Sequence, residues 1–197
     1  MRYVKPLVFA AMLAPLVWLV ARAFTGGLGA NPIDRITDET GTMALRSIVL
    51  TLAATPFRRV TGWNEVIRLR RMLGLFAFTY AGLHFLTYIV LDQFFDWTTI
   101  SGDLTKRPFI MAGFTAFVVM VPLAVTSTAG WIRRLGGRAW QRLHRLTYVA
   151  AFAAVVHYWW LVKADITFPR RYAIAIGALL ALRAWHAIRR RQSPAPL

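Results

Sequence analysis

Three histidines stand within or at the edge of apolar, membrane-length segments: His84, His144 and His157. An ionisable side chain at membrane depth is costly and by default marks a functional site. Imidazole is a common ligand of haem iron, and the chain has no cysteine to compete for a metal. That absence excludes disulfides, Cys-ligated iron–sulfur clusters and covalent haem attachment through C-x-x-C-H. No H-E-x-x-H, phosphate-loop or strand-linked G-x-G-x-x-G motif occurs either. The chemistry left open is electron transfer by a haem held without covalent attachment, its reductant delivered by another molecule.

Depth sorts the histidines. Entering from the end near Met72, the chain reaches His84 after about 12 residues, roughly 18 Å of helix. Entering near His144, it reaches His157 after about 13 residues, roughly 20 Å. The two helices run in the same direction, so His84 and His157 lie level, as a bis-histidine haem between neighbouring helices requires. A lone intramembrane histidine is often an interhelical hydrogen-bonding residue; matched depth favours ligation. His144 lies at the entrance of its helix. It is either an interfacial residue or a ligand of a second, inner haem. Thirteen residues turn a straight helix about 140° away from a common face, so His144 and His157 meet one neighbour only across a bend. Counting the same interval back from His84 gives Arg71, which does not ligate iron. His186, among arginines near the end of the chain, is a substitute inner partner or another interfacial residue.

Helices must position these side chains. The chain has 197 residues, 57% of them hydrophobic and 16% charged, with a mean hydropathy of +0.49. That composition predicts an all-α, polytopic membrane helix bundle. Apolar runs occur at about Leu7–Phe24, Met43–Phe57, Met72–Leu91, Phe109–Val125, Leu146–Val162 and Tyr172–Ile188. The second is weak, interrupted by Arg46 and closed by Pro56. Met1–Lys5, Arg58–Arg71, Arg133–Arg145 and Arg183–Arg191 carry 16 of the 24 basic residues and one acid, Glu65. The alternate loops carry the other seven acids. Positive loops stay cytoplasmic, so six transmembrane helices with both termini cytoplasmic are expected. This gives one haem-binding domain over 1–188 and a disordered cytoplasmic tail over 189–197. The net charge of +16 is a matter of topology and calls for no nucleic acid; the partner surface is membrane lipid. The first run also has features of a cleavable signal peptide, ending in Ala21-Arg22-Ala23.

Arg70, Arg71 and Arg145 flank the inner histidine level. They satisfy the positive-inside rule. Alternatively, they hold haem propionates, a flavin phosphate or a quinone carbonyl.

Arg70-Arg71-Met72-Leu73-Gly74-Leu75, followed by Tyr80 and Leu83-His84, resembles the third span of the MsrQ family. Thr55-Pro56-Phe57-Arg58-Arg59 is similar as well. So is Trp140-Gln141-Arg142-Leu143-His144-Arg145-Leu146-Thr147-Tyr148 with His157-Tyr158. The resemblance implies a ferric-reductase-like transmembrane domain in the bacterial inner membrane, carrying haem b and flavin mononucleotide (FMN). It implies electrons taken from quinol or a cytoplasmic flavin reductase. They would pass to a periplasmic molybdopterin-containing methionine sulfoxide reductase that repairs envelope proteins. It makes His84, His144 and His157 the haem-ligand candidates, with Arg71 where the related pattern has a fourth histidine. The chain is then an electron-transfer subunit rather than the catalyst. Other expectations are a ferric or quinone reductase of the same cytochrome type, and a non-redox small-molecule transporter.

Overall fold

The computed structural model describes residues 3–192. The described chain is helical throughout, without strands: α1 Val4–Phe24, α2 Pro32–Thr61, α3 Val66–Leu86, α4 Trp97–Lys106, α5 Pro108–Val125, α6 Ala129–Leu135, α7 Gly137–Leu143, α8 Leu146–Leu161 and α9 Thr167–Gln192. A wider π turn, Thr87–Asp92, continues α3 three residues beyond His84. The ends follow local chemistry. Asn31 caps α2 by accepting from the Asp34 amide, with Pro32 in the first turn, and Gly62 ends the helix at φ 72°. Asp96 caps α4 through the Thr98 and Thr99 amides.

Each of the six apolar runs falls in one of the longer helices, α1, α2, α3, α5, α8 and α9; α4, α6 and α7 are short connectors. Among the described residues, three helices are long and apolar enough to cross a membrane by length and composition: α1, α3 with its π turn, and α5. The others are limited by identifiable residues. α8 has 16 residues, and α2 has 30 but carries acids in its first turns and arginines in its last. The apolar run stops at Pro56, yet α2 continues to Thr61. α9 extends to Gln192, taking in the start of the expected tail; positions 193–197, like Met1 and Arg2, lie outside the described residues.

Two helix pairs dominate the packing, α2 along α3 and α5 along α8, while α9 closes against α2 and α8. Their shared core joins Leu45, Ile48 and Leu52 of α2 with Ala77 of α3, Met120 of α5, Ala150 and Ala151 of α8 and Ile176 of α9. Small residues on α8 let the helices approach closely, the usual device where lipid removes the hydrophobic drive. Phe117 of α5 bridges the pairs, stacking on Phe78 and Phe85 of α3 at 5.6 and 4.8 Å.

α1 packs on the outside of the first pair, its Met12 against Met43, Leu69, Leu73 and Tyr80. Tyr80, only 2% exposed, donates its hydroxyl to the Met12 carbonyl at 2.6 Å. Tyr80→Phe deletes this link at a cost of about 1 kcal/mol. In detergent the unfolding midpoint should fall by roughly 2–4 °C.

Candidate functional site

His84 on α3 and His157 on α8 come together, ring centroids 6.0 Å apart and nearly perpendicular. Each ring is fixed in the same way. His84 Nδ1 lies 3.0 Å from the Thr37 carbonyl of α2, and His157 Nδ1 lies 2.6 Å from the Phe109 carbonyl of α5. A carbonyl only accepts, so each Nδ1 carries the proton and each Nε2 keeps its lone pair. Orientation by an N–H to carbonyl bond is the usual outer support of a metal-binding imidazole.

Glycine makes the approach possible. A Cβ on Gly41 would stand 3.0 Å from the His84 ring, and one on Gly113 would stand 2.7 Å from the His157 ring. Each glycine lies one helical turn after the residue whose carbonyl holds the histidine, Thr37 or Phe109. The bonded pairs are 47 and 48 residues apart in sequence. The α2–α3 and α5–α8 pairs are therefore equivalent units, each a glycine-bearing helix laid against a histidine-bearing one. The sequence carries this signal in the glycine–histidine spacing, but neither glycine stands out without the contact.

Around this pair, Tyr88 in the π turn donates its hydroxyl to Asp103 at 3.0 Å, and Asp103 pairs with Arg107 at 3.0 Å. The π turn is thereby tied to α4. Among the described residues no group of three or more His, Cys, Asp or Glu could hold a bare metal ion. A metal bound between His84 and His157 must bring its other ligands with it. Metal–imidazole bonds of about 2 Å on either side, plus the ring half-widths, span on the order of 6 Å, which matches the observed separation. The pair thus fits the axial positions of a haem.

His144 is held differently. Thr126 Oγ1 donates to the Pro122 carbonyl at 2.6 Å, which uses its hydrogen, so it accepts from His144 Nε2 at 3.1 Å. The ring stacks on Trp140 at 3.9 Å, and the Trp140 indole donates to the Thr126 carbonyl at 2.9 Å. Burial, then the Arg70 guanidinium, hold its pKa below the ordinary 6.5. Of the three flanking arginines, Arg70 is half-buried and turned inward, while Arg71 and Arg145 are exposed. Fourteen residues before His84 is only about 40° off its face, so Arg70, not Arg71, lies below His84 at the inner level. His186 bonds back to Leu182 of its own helix at 2.6 Å. A residue not singled out from the sequence joins this level instead: Arg183 of α9 donates to Tyr148 Oη at 2.9 Å and to the Leu52 carbonyl at 2.6 Å. Pro56 has no N–H to offer Leu52, which frees that carbonyl for the arginine.

Comparisons with known proteins follow this geometry. Residues 40–155 match the family described as "Ferric reductase like transmembrane component". A Rhodospirillum rubrum protein is 53% identical over 94% of this chain and 89% of its own length. A Herminiimonas arsenicoxydans protein is 48% identical over 95% and 87%, and one from Caulobacter vibrioides 46% over 96% and 90%. All three are named protein-methionine-sulfoxide reductase heme-binding subunit MsrQ. No solved structure matches.

Two outcomes are expected. Gly113→Ala lowers the haem-to-protein absorbance ratio several-fold, and Gly41→Ala lowers it less, because the first Cβ intrudes further; circular dichroism checks that both variants fold. In haem-free protein burial and Arg70 make folded His144 protonate at a lower pH than the 6.5 ordinary for the unfolded residue. It therefore favours the folded state fully above that pH, and the advantage is lost as pH falls towards its lower folded pKa. The stability difference between wild type and His144→Gln should shrink over that interval in denaturant titrations.

Proposed function

The chain belongs to the MsrQ family of ferric-reductase-like membrane proteins, and on that premise we propose that it is the b-type cytochrome subunit of a methionine sulfoxide reductase system. The observation that carries this reading is the His84–His157 pair, with both Nε2 lone pairs free and both rings seated on glycine. Haem bound there supplies a one-electron carrier whose potential is set by its axial ligands and its burial. His84 and His157 would hold the iron through their Nε2 atoms. The Thr37 and Phe109 carbonyls keep each imidazole in the required tautomer. With two imidazoles on one iron, no open position would remain for oxygen or sulfoxide, so this chain would relay electrons while the sulfoxide is reduced elsewhere.

The relay runs across the bacterial inner membrane through six spans, with both termini cytoplasmic. The basic inner segments support that orientation. His84 and His157 then lie in the outer half, facing a periplasmic molybdopterin-containing methionine sulfoxide reductase. Quinol or a cytoplasmic flavin reductase delivers electrons at the inner end, where FMN would also sit. Arg70 is the inward-facing basic group there, and His144 is the candidate ligand of an inner haem. The family match to ferric-reductase-like components favours a second reading, the same cytochrome serving another acceptor. Co-purification with a molybdoenzyme separates the two.

The decisive measurement is the oxidised and dithionite-reduced visible spectrum of detergent-purified protein beside His84→Ala, His157→Ala and His144→Ala. A low-spin b-type spectrum in the wild type, abolished in the first two variants, is expected. Partial loss in the third would establish an inner haem. A colourless wild type, produced with ample haem, sinks the cytochrome reading in favour of transport.

A further inference from the structure

The inner end of the bundle holds a second constellation that the outer histidines do not use. A guanidinium has five N–H donors. Arg183 directs one to Tyr148 Oη and one to the Leu52 carbonyl, and its Cζ lies 5.4 Å from the Tyr148 ring centroid. Its Nε–H is buried with no partner, and the other buried side-chain atom in that position is Thr55 Oγ1. Thr55 stands on α2 one helical turn after Leu52, whose carbonyl accepts from Arg183. Buried polar groups are almost always satisfied, so two at one place point to a missing partner.

Charge says what that partner is. Arg70 lies within electrostatic reach of both Arg183 and Tyr148. The ion pairs of α2 and α4 lie elsewhere, Arg35 with Glu39 and Arg107 with Asp103. Neither Arg70 nor Arg183 is paired with a carboxylate among the described residues. Like charges are thus held at one half-buried level with hydroxyls beside them. Tyr148 Oη accepts from Arg183, which leaves its own hydrogen to donate, and Thr55 offers another. Guanidinium forks match tetrahedral oxyanions through paired N–H donors.

We propose that Arg183 and Arg70, with the Tyr148 and Thr55 hydroxyls, form a binding site for a phosphate-class oxyanion at the inner end of the bundle. An anionic phospholipid headgroup and free phosphate present the same oxygens. The site does not depend on the outer haem.

The test uses haem-loaded full-length protein in phosphatidylcholine nanodiscs, followed by thermal unfolding. Inorganic phosphate is titrated against chloride at equal ionic strength, and phosphatidylglycerol is separately mixed into the discs. A ligand of the folded state raises the midpoint. The expected result is a rise with at least one probe, and an apparent affinity lower by roughly tenfold or more in Arg183→Gln. The exposed control Arg134→Gln responds as wild type. A response to phosphate identifies a soluble ligand; a response to phosphatidylglycerol alone identifies the lipid. If Arg183→Gln does not accumulate, Arg70→Gln and Thr55→Val carry the same comparison. The proposal is overturned if neither probe stabilises the wild type, or if Arg134→Gln weakens binding equally. It is also overturned if the probes act only after haem is stripped, because a haem carboxylate then fills the site. The unfolding readout needs no haem, so a colourless protein would refute the cytochrome and leave this test intact.

Discussion

An imidazole N–H donated to a helix carbonyl, across a gap that only glycine leaves open, is the contact on which the site depends. It occurs twice. Each instance fixes which nitrogen keeps a lone pair, which way the ring faces and how closely two helices can lie. The tautomer follows from elementary acceptor chemistry, because a carbonyl has no proton to give. The separation of the rings then follows from the packing of two helix pairs, bridged by Phe117 against Phe78 and Phe85. Binding competence is therefore a property of four helices at once.

The all-helical class follows from hydropathy, and the common level of His84 and His157, whose rings meet at 6.0 Å, follows from counting 1.5 Å per residue. Both are visible without coordinates. The glycine partners are not, because a single glycine in a helix has no periodic signature; only the similar spacing to each histidine, 43 and 44 residues (84 − 41 and 157 − 113), marks them. Angle is harder to read than depth. A count of 13 points to Arg71, but the helical turn puts its neighbour Arg70 on the inner face. Arg183 looks like one more positive-inside residue until the carbonyl that Pro56 frees is seen to accept from it. The fifth apolar run, Leu146–Val162, by contrast coincides with α8, Leu146–Leu161, at its start and to within one residue at its end.

The two ends of the bundle differ in electrostatic character. The outer end balances its charges locally: Asp96 caps α4, Asp103 pairs with Arg107, and Arg35 pairs with Glu39. Around Arg183 and His144 neutral groups serve instead, a phenol, a carbonyl and a stacked indole. Charge that is hydrogen-bonded but not neutralised attracts counter-ions. That asymmetry distinguishes an end built to hold itself together from one built to receive something.

The equivalence of the two helix pairs also bears on biogenesis. Each contributes one imidazole, and the two are separated by 73 positions of chain (157 − 84). At a synthesis rate of about 5–20 residues per second, His157 emerges roughly 4–15 s after His84. Throughout that interval the first pair exists with its histidine already steered by Thr37, and with nothing opposite it. With the ligation proposed here, prosthetic-group loading comes late, after the second pair has inserted. A nascent chain stalled between the two would be a folded half that holds no iron.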